Sequence, residues 1–300
     1  METEPEVPVT ATFNVSGEYL KGNVTLTYAG DNVISIDNTS ITKDDNNECN
    51  KDITVTFAPQ ERGNHTYSGT VTISADGATS QTVQINATAT DVWIDVKISS
   101  ALYSTLYCDF PVVIPEKDIT NEKSLLTVFY PYNINGKSLE LEKIMNNIPH
   151  ETGVILFGNE ATYRFYKYHG TETALTRTNL LSGTSTQLTR AQALQKAGET
   201  EETAIIMTLA PGKESAIGFY KYTGKNLAAN KAYLIYKPSA GSNVSFLSLN
   251  IDGSENLDGI RDVKAVGDDD AWYTLQGARL NGKPTQRGIY IHGGKKVAVK

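Results

Sequence analysis

The sequence predicts an all-β protein, and three observations carry that prediction. Thr, Tyr, Val, Ile and Asn recur along the whole chain while Ala/Leu/Glu/Lys-rich stretches are scarce, a balance that favours strands and turns. Short segments alternate apolar and polar residues, as a strand with one buried face does. Clusters of Gly, Pro, Asn and Asp separate those segments at short intervals.

At 300 residues the chain exceeds the usual span of one hydrophobic core, so several domains are expected. We read residues 1–8 as a disordered N-terminus and 9–90 as an immunoglobulin-like β-sandwich. Residues 91–252 read as a larger, aromatic-rich β-sandwich or barrel-like domain with one short helix. An acidic linker over 253–270 and a small C-terminal β segment over 271–300 complete the chain.

The formal net charge of −7 disfavours nucleic acid and anionic membrane as partners, because both need a positive field. No stretch of about twenty apolar residues occurs, so no helical membrane span is expected. Met1-Glu-Thr-Glu-Pro-Glu-Val-Pro8 lacks a basic region followed by an apolar run, so no signal peptide is expected in this chain. Cys49 and Cys108 are too few for a disulfide framework and fall in different expected domains, so they read as buried thiols with pairing left open. No cofactor is implied, and the chain is expected to be a monomer.

In the first domain, strands are expected at Val24–Tyr28, Val33–Ile36, Ile53–Phe57, Thr70–Ile73 and Thr82–Ile85, with turns at Ala29–Asn32, Lys43–Glu48, Pro59–Gly63 and Ala75–Ala78. Several short strands at this spacing point to a sandwich. Phe57-Ala-Pro59, Gly63, Tyr67-Ser-Gly69 leading into Val71-Thr-Ile73, and Val83-Gln-Ile-Asn-Ala87 resemble the hydin/major-sperm-protein type of immunoglobulin-like domain. That resemblance implies a spacer or protein-interaction module without catalysis.

In the second domain, strands are expected at Trp93–Val96, Ser124–Val128, Gly153–Leu156, Ala204–Met207 and Ala232–Ile235. Phe165-Tyr-Lys-Tyr168 followed by Gly170 returns as Phe219-Tyr-Lys-Tyr222 followed by Gly224, each downstream of an apolar strand, which suggests two similar hairpins. Tyr166, Tyr168, Tyr220 and Tyr222 are therefore the candidate ligand-binding residues, as rings on which a sugar could stack. Packing competes with that reading, because alternation gives one face of each segment to the core. Leu188–Ala197 reads as a short surface helix capped by Thr189 and ended by Gly198, with Leu188, Ala191, Leu194 and Ala197 as its inner stripe.

Thr105-Leu-Tyr107 with Pro111-Val-Val-Ile-Pro115, Ile148-Pro149 before Gly153–Leu156, Asn179–Thr184 and Leu227–Leu234 together resemble a β-rich domain near the C-terminus of secreted proteins of gut and oral anaerobic bacteria. At the end of the chain, Tyr273, Leu275 and Gly277, then Gly288, Ile289 and Tyr290, then Gly294, Lys295 and Lys296 resemble a short form of the C-terminal sorting domain read by type IX secretion machinery. This likeness implies a secreted or cell-surface location, with the secretion machinery as a partner.

Motifs of catalysis are sparse. His65, His150, His169 and His292 each lack a second His or Cys at metal-ligand spacing. Leu181-Ser-Gly-Thr184 is not a nucleophile elbow, Cys108 has no histidine at a telling distance, and no phosphate-cradling glycine motif occurs. Ser254-x-Asn256-x-Asp258-Gly259 has the alternating oxygens of a calcium loop, but Ala265 takes the place of its bidentate glutamate. Asn-x-Ser/Thr tripeptides at Asn14, Asn23, Asn38, Asn64, Asn86 and Asn243 follow from Asn- and Thr-rich strand edges. The expected function is thus a non-catalytic secreted or surface binding protein, adhesin-like or glycan-binding, with a glycan or host surface protein as ligand. The alternatives are a structural appendage of a larger secreted assembly and a hydrolase whose acids lie far apart in sequence.

Overall fold

The computed structural model describes residues 1–120, 126–211, 217–238, 244–251, 272–273, 279–280, 284, 288–292 and 295–299. Strands make up 53% of the chain and helix 3%, which settles the class as all-β. No helix among the described residues is long and apolar enough to cross a membrane. The chain divides into two compact units, Met1–Asn250 and Ile251–Lys300.

The first unit opens with Glu2–Thr3 (β1), Val9–Gly17 (β2), Val24–Gly30 (β3), Ile34–Ile36 (β4), Ser40–Ile41 (β5), Cys49–Phe57 (β6), His65–Ser74 (β7) and Gln81–Ala89 (β8). They form a sandwich of a five-stranded sheet, ordered β1-β8-β7-β3-β5, on a three-stranded sheet, ordered β2-β6-β4. Strict alternation builds its core: Ile53, Val55 and Phe57 of β6 and Ile85, Ala87 and Ala89 of β8 point inward, while their neighbours face outward. Residues 1–8 are not disordered as expected. Glu2 and Thr3 pair in parallel with Thr88 and Ala89, and Met1 packs on the sandwich core, so this segment gains ladder bonds and apolar burial.

Fifteen further strands follow: Trp93–Ile98 (β9), Tyr103–Leu106 (β10), Val112–Val113 (β11), Thr127–Asn135 (β12), Ser138–Ile144 (β13), Asn147–Ile148 (β14), Val154–Phe157 (β15), Ala161–Tyr166 (β16), Leu181–Thr184 (β17), Leu188–Thr189 (β18), Ile205–Pro211 (β19), Ile217–Lys221 (β20), Asn226–Leu227 (β21), Lys231–Tyr236 (β22) and Phe246–Ile251 (β23). Nine of them form a barrel-like sheet in the order β10-β15-β12-β13-β23-β20-β19-β22-β17, and β9 pairs with β16 separately.

That order reveals a duplication. In one half β10, β15, β12 and β13 lie side by side with β11 paired to β14; in the other β17, β22, β19 and β20 do the same with β18 paired to β21. Taken along the chain, β10 to β15 correspond one for one to β17 to β22. The halves run in opposite order across the sheet, so an approximate two-fold relates them. Ile148 and Leu227 are equivalent, and three residues on, Glu151 (φ 50°) and Asn230 (φ 55°) both hold left-handed backbone. The expected pair of hairpins is therefore corrected. Phe219–Lys221 lies on β20, which pairs with β19, whereas Phe165–Tyr166 lies on β16, which pairs with β9 rather than with β15.

The two edges of the nine-stranded sheet meet at a seam where side chains pack directly on glycine backbone. Gly153 faces its equivalent Ala232, and a Cβ on Gly153 would stand 2.9 Å from Leu181 Cβ and 3.0 Å from Ala232 Cβ. The Tyr107 ring lies directly on Gly183, where a Cβ would come within 2.2 Å of it. Around these contacts the Tyr107 amide donates to Asn230 O, Asn230 Nδ2 to Tyr107 O, Asn179 Nδ2 to Gly153 O and the Ala232 amide to Thr105 Oγ1. Side chains and turns thus satisfy backbone groups that a continued ladder would have paired.

The sole helix among the described residues, α1 (Arg190–Lys196), has the capping expected of it. Thr189 Oγ1 accepts the Gln192 amide and the Gln192 side chain takes the Thr189 amide, a reciprocal capping box, and Gly198 follows at φ 71°. Its buried residues are Ala193 and Leu194; Ala191 and Ala197 are exposed, and Leu188 belongs to β18, so the expected inner stripe is corrected to a two-residue contact. The helix is too short to need a wider one.

A polar knot joins sandwich and barrel. Asp91, fully buried as a side chain, accepts the Gly63 and Val92 amides and pairs with Arg62, which also donates to Lys167 O and pairs with Glu6. Lys167 in turn pairs with Glu4 at 2.8 Å. The expected boundary at residue 91 is thus a fixed joint.

In the second unit, Trp272–Tyr273 (β24), Arg279–Leu280 (β25), Gly288–His292 (β26) and Lys295–Val299 (β27) form a four-stranded sheet ordered β25-β24-β26-β27. Tyr273, Gly288, Ile289, Tyr290, Lys295 and Lys296 lie on these strands. Leu275, Gly277, Gly294, the acidic linker and the calcium-loop-like Ser254–Gly259 lie outside the described residues.

The seam makes a direct prediction. Gly183→Ala should lower stability by about 1–3 kcal/mol through overpacking on Tyr107. Gly22→Ala, where the nearest atom is 3.9 Å from the new methyl, should shift it by less than about 0.5 kcal/mol. Urea unfolding followed by circular dichroism compares the two.

Candidate functional site

The four candidate tyrosines do not form one platform, because β16 and β20 sit in different sheets. In both segments the phenylalanine is core: Phe165 and Phe219 are fully buried, and the tyrosine beside each turns to the other face. Tyr168 folds its ring back over Gly170 and Tyr222 over Gly224, so that a Cβ on either glycine would meet the phenol oxygen within 2.4 Å. Tyr220 packs on Phe246 with ring centroids 4.5 Å apart. Tyr168 and Tyr220 therefore serve packing.

Tyr166 has a different setting. Across the β9–β16 ladder Tyr166 pairs with Trp93 and Arg164 with Asp95, so alternation brings these four side chains to one outward face. The Trp93 and Tyr166 rings meet edge-on at 6.1 Å, Arg164 lies over Trp93 at 4.6 Å, and Arg62 from the sandwich lies over Tyr166 at 5.4 Å. Asp95 holds the Arg164 fork through two bonds of 2.8 Å. These contacts fix four polar or aromatic groups in single orientations before any ligand arrives. Beside them opens a hollow of about 360 Å³, lined by Arg164 and Tyr166 on one side and by Pro115, Glu116, Asp118 and Ile119 on the other. The amide of Ile119 donates to Thr162 O, which ties the second wall to β16.

This face can offer an aromatic surface together with fixed donors and acceptors, the combination that binds polyhydroxylated rings. Trp93, Asp95, Arg164 and Arg62 were not singled out from the sequence. Strand alternation in Trp93-Ile-Asp-Val96 could have paired Trp93 with Asp95, but their cross-strand partners needed the register.

Groups capable of acid–base or nucleophilic chemistry are arranged differently. His150 Nδ1 lies 2.7 Å from Glu172 Oε2 in an exposed loop, and that carboxylate bond raises the imidazole above its ordinary range. His65 Nε2 donates to Arg62 O, and His169 faces Glu4 at 3.2 Å. Cys49 and Cys108 are both free and buried, and burial pushes the Cys108 thiol up to about 12. A thiol so placed is a poor nucleophile.

No protein-family model matches the chain, and no curated protein matches it.

Two measurements check the site. The Arg164 hydrogen bonds hold the Asp95 carboxyl below its ordinary value of 3.8, so the charged pair is present above that value and is lost as pH falls through the lowered one. Trp93 fluorescence, read in a Trp272→Phe background, should stay constant from about pH 7 to 5 and change only under more acid conditions. Native protein should leave Cys108 unlabelled by a thiol-disulfide reagent at about pH 8, with labelling appearing only on unfolding.

Proposed function

We propose that the protein is a non-catalytic binding protein of the cell surface or secreted milieu that takes glycan on the outward face of β9–β16. The observation that carries this reading is the fixed square of Trp93, Tyr166, Asp95 and Arg164 beside a hollow of about 360 Å³. A sugar presents an apolar ring face to the indole and phenol and its hydroxyls to the guanidinium and carboxylates. Prior fixing of Arg164 by Asp95 lowers the ordering cost of binding.

The N-terminal sandwich then acts as a rigid spacer, a role supported by the buried Arg62–Asp91 joint. Export through a type IX-like C-terminal signal is supported by the resemblance at Tyr273, Gly288–Tyr290 and Lys295–Lys296, all of which fall on strands.

A glycan array probed with the full chain should yield binding to a restricted set of oligosaccharides. Trp93→Ala or Tyr166→Ala should weaken the best of them more than tenfold, as loss of a central aromatic contact does, while Tyr220→Phe leaves it unchanged. Absence of binding to any glycan at millimolar concentration, or equal binding by the Trp93→Ala protein, would overturn the assignment.

A further inference from the structure

A second hollow, of about 310 Å³, lies where β10 meets the corner between β21 and β22. Tyr222 and Tyr233 supply aromatic walls, Leu209 and Ile217 apolar ones, and Ser104 and Thr208 hydroxyls. Lys231 is the one charged residue among the described residues that line it. In a chain of net charge −7 this is a locally positive pocket.

The ammonium of Lys231 donates to Ser104 Oγ at 2.9 Å and to Thr105 O at 3.3 Å. An ammonium has three donors, so one remains. No carboxylate pairs with it among the described residues. Burial alone lowers its pKa, with no charged group contributing. A cation withdrawn from water without a counter-charge is costly to keep, and an anion entering the hollow would offset that cost.

The duplication supplies the second argument. Counting from the equivalent residues Ile148 and Leu227, the counterpart of Lys231 is Thr152. Thr152 is buried, its hydroxyl donates to His150 O, and its side of the seam closes through Asn179 and Gly153, with an uncharged residue where Lys231 stands on the other. The fold therefore forms this corner without a lysine, and the charge at Lys231 is not a demand of the architecture.

We infer that this hollow binds a small carboxylate ligand of monosaccharide size, such as a hexuronate residue, with Lys231 holding the carboxylate and the Tyr222 and Tyr233 rings flanking the body of the ligand. A sugar-sized molecule suits the volume, and the mixture of apolar walls, several hydroxyls and one cation suits an acidic sugar better than an apolar or a multiply charged one. This site is separate from the β9–β16 face and needs no binding there.

The test titrates the full chain with D-glucuronate, D-glucose and inorganic phosphate by calorimetry. Glucuronate is expected to bind with a dissociation constant of order 1 mM, glucose and phosphate at least tenfold more weakly. Lys231→Met should weaken glucuronate binding more than tenfold, while Lys51→Met, at an exposed lysine of the sandwich outside both proposed sites, leaves it unchanged. Because Lys231→Met removes two bonds at the seam and could fail to fold, a second readout uses the unaltered protein. Acetylation of Lys231, mapped by mass spectrometry, should slow at least fivefold in saturating glucuronate, with no change at Lys51. The inference is overturned by glucose binding as well as glucuronate, by phosphate binding in its stead, by absence of glucuronate binding up to about 20 mM, or by unchanged acetylation of Lys231.

Discussion

The larger part of the first unit depends on one constraint: side chains must pack directly on the backbone of Gly153 and Gly183 at the seam of the nine-stranded sheet. A sheet of nine strands that stayed open would expose two edges to chance pairing. Here β10 and β17 are brought together instead, and the contact works because Gly153 and Gly183 carry no side chain where Leu181, Ala232 and the Tyr107 ring need the space. Strand pairing does not close the gap. A tyrosine laid on a glycine, two asparagine side chains and a threonine hydroxyl close it, which leaves room for a cavity at the corner that holds Lys231.

The same logic of rings on glycines recurs away from the seam, at Tyr28 over Gly69 in the sandwich and at Tyr168 and Tyr222 over the glycines two residues on. A glycine in or beside a strand leaves apolar neighbours uncovered, and a nearby ring fills the deficit. This explains why the repeated Phe-Tyr-Lys-Tyr-x-Gly segments look alike without being equivalent in the fold. What is repeated is a local device in which Phe enters the core and the last Tyr covers the Gly. The duplicated architecture is recorded elsewhere, in Ile148–Leu156 and Leu227–Ile235, whose apolar positions match at equal spacing while their sequences differ.

Much of the fold was legible because it is local. Alternation in Ile53–Phe57 and Gln81–Ala89 tells which residues face the core, and Thr189, Gln192 and Gly198 bracket the helix through contacts within a few residues. The seam was not legible, since Tyr107 and Gly183 are far apart in sequence and neither is unusual alone. The candidate site was half legible for the same reason. Tyr166 was visible as an aromatic on the outward side of a strand, but its partners Trp93 and Arg164 depend on the register between β9 and β16, and Arg62 arrives from another domain. Burial also misled at the N-terminus, where a polar, proline-containing start conceals a strand that pairs with β8.

The central claim is that the seam, held by Tyr107 on Gly183, organises the barrel as a unit distinct from the sandwich core. Amide hydrogen exchange tests it most directly, comparing Tyr107 and Ala232 at the seam with Val55 in the sandwich. The account predicts that Tyr107 and Ala232 are protected alike in the native protein and lose protection together in Gly183→Val, while Val55 keeps its own. Independent exchange of Tyr107 and Ala232, or protection of both undiminished by the substitution, would contradict it.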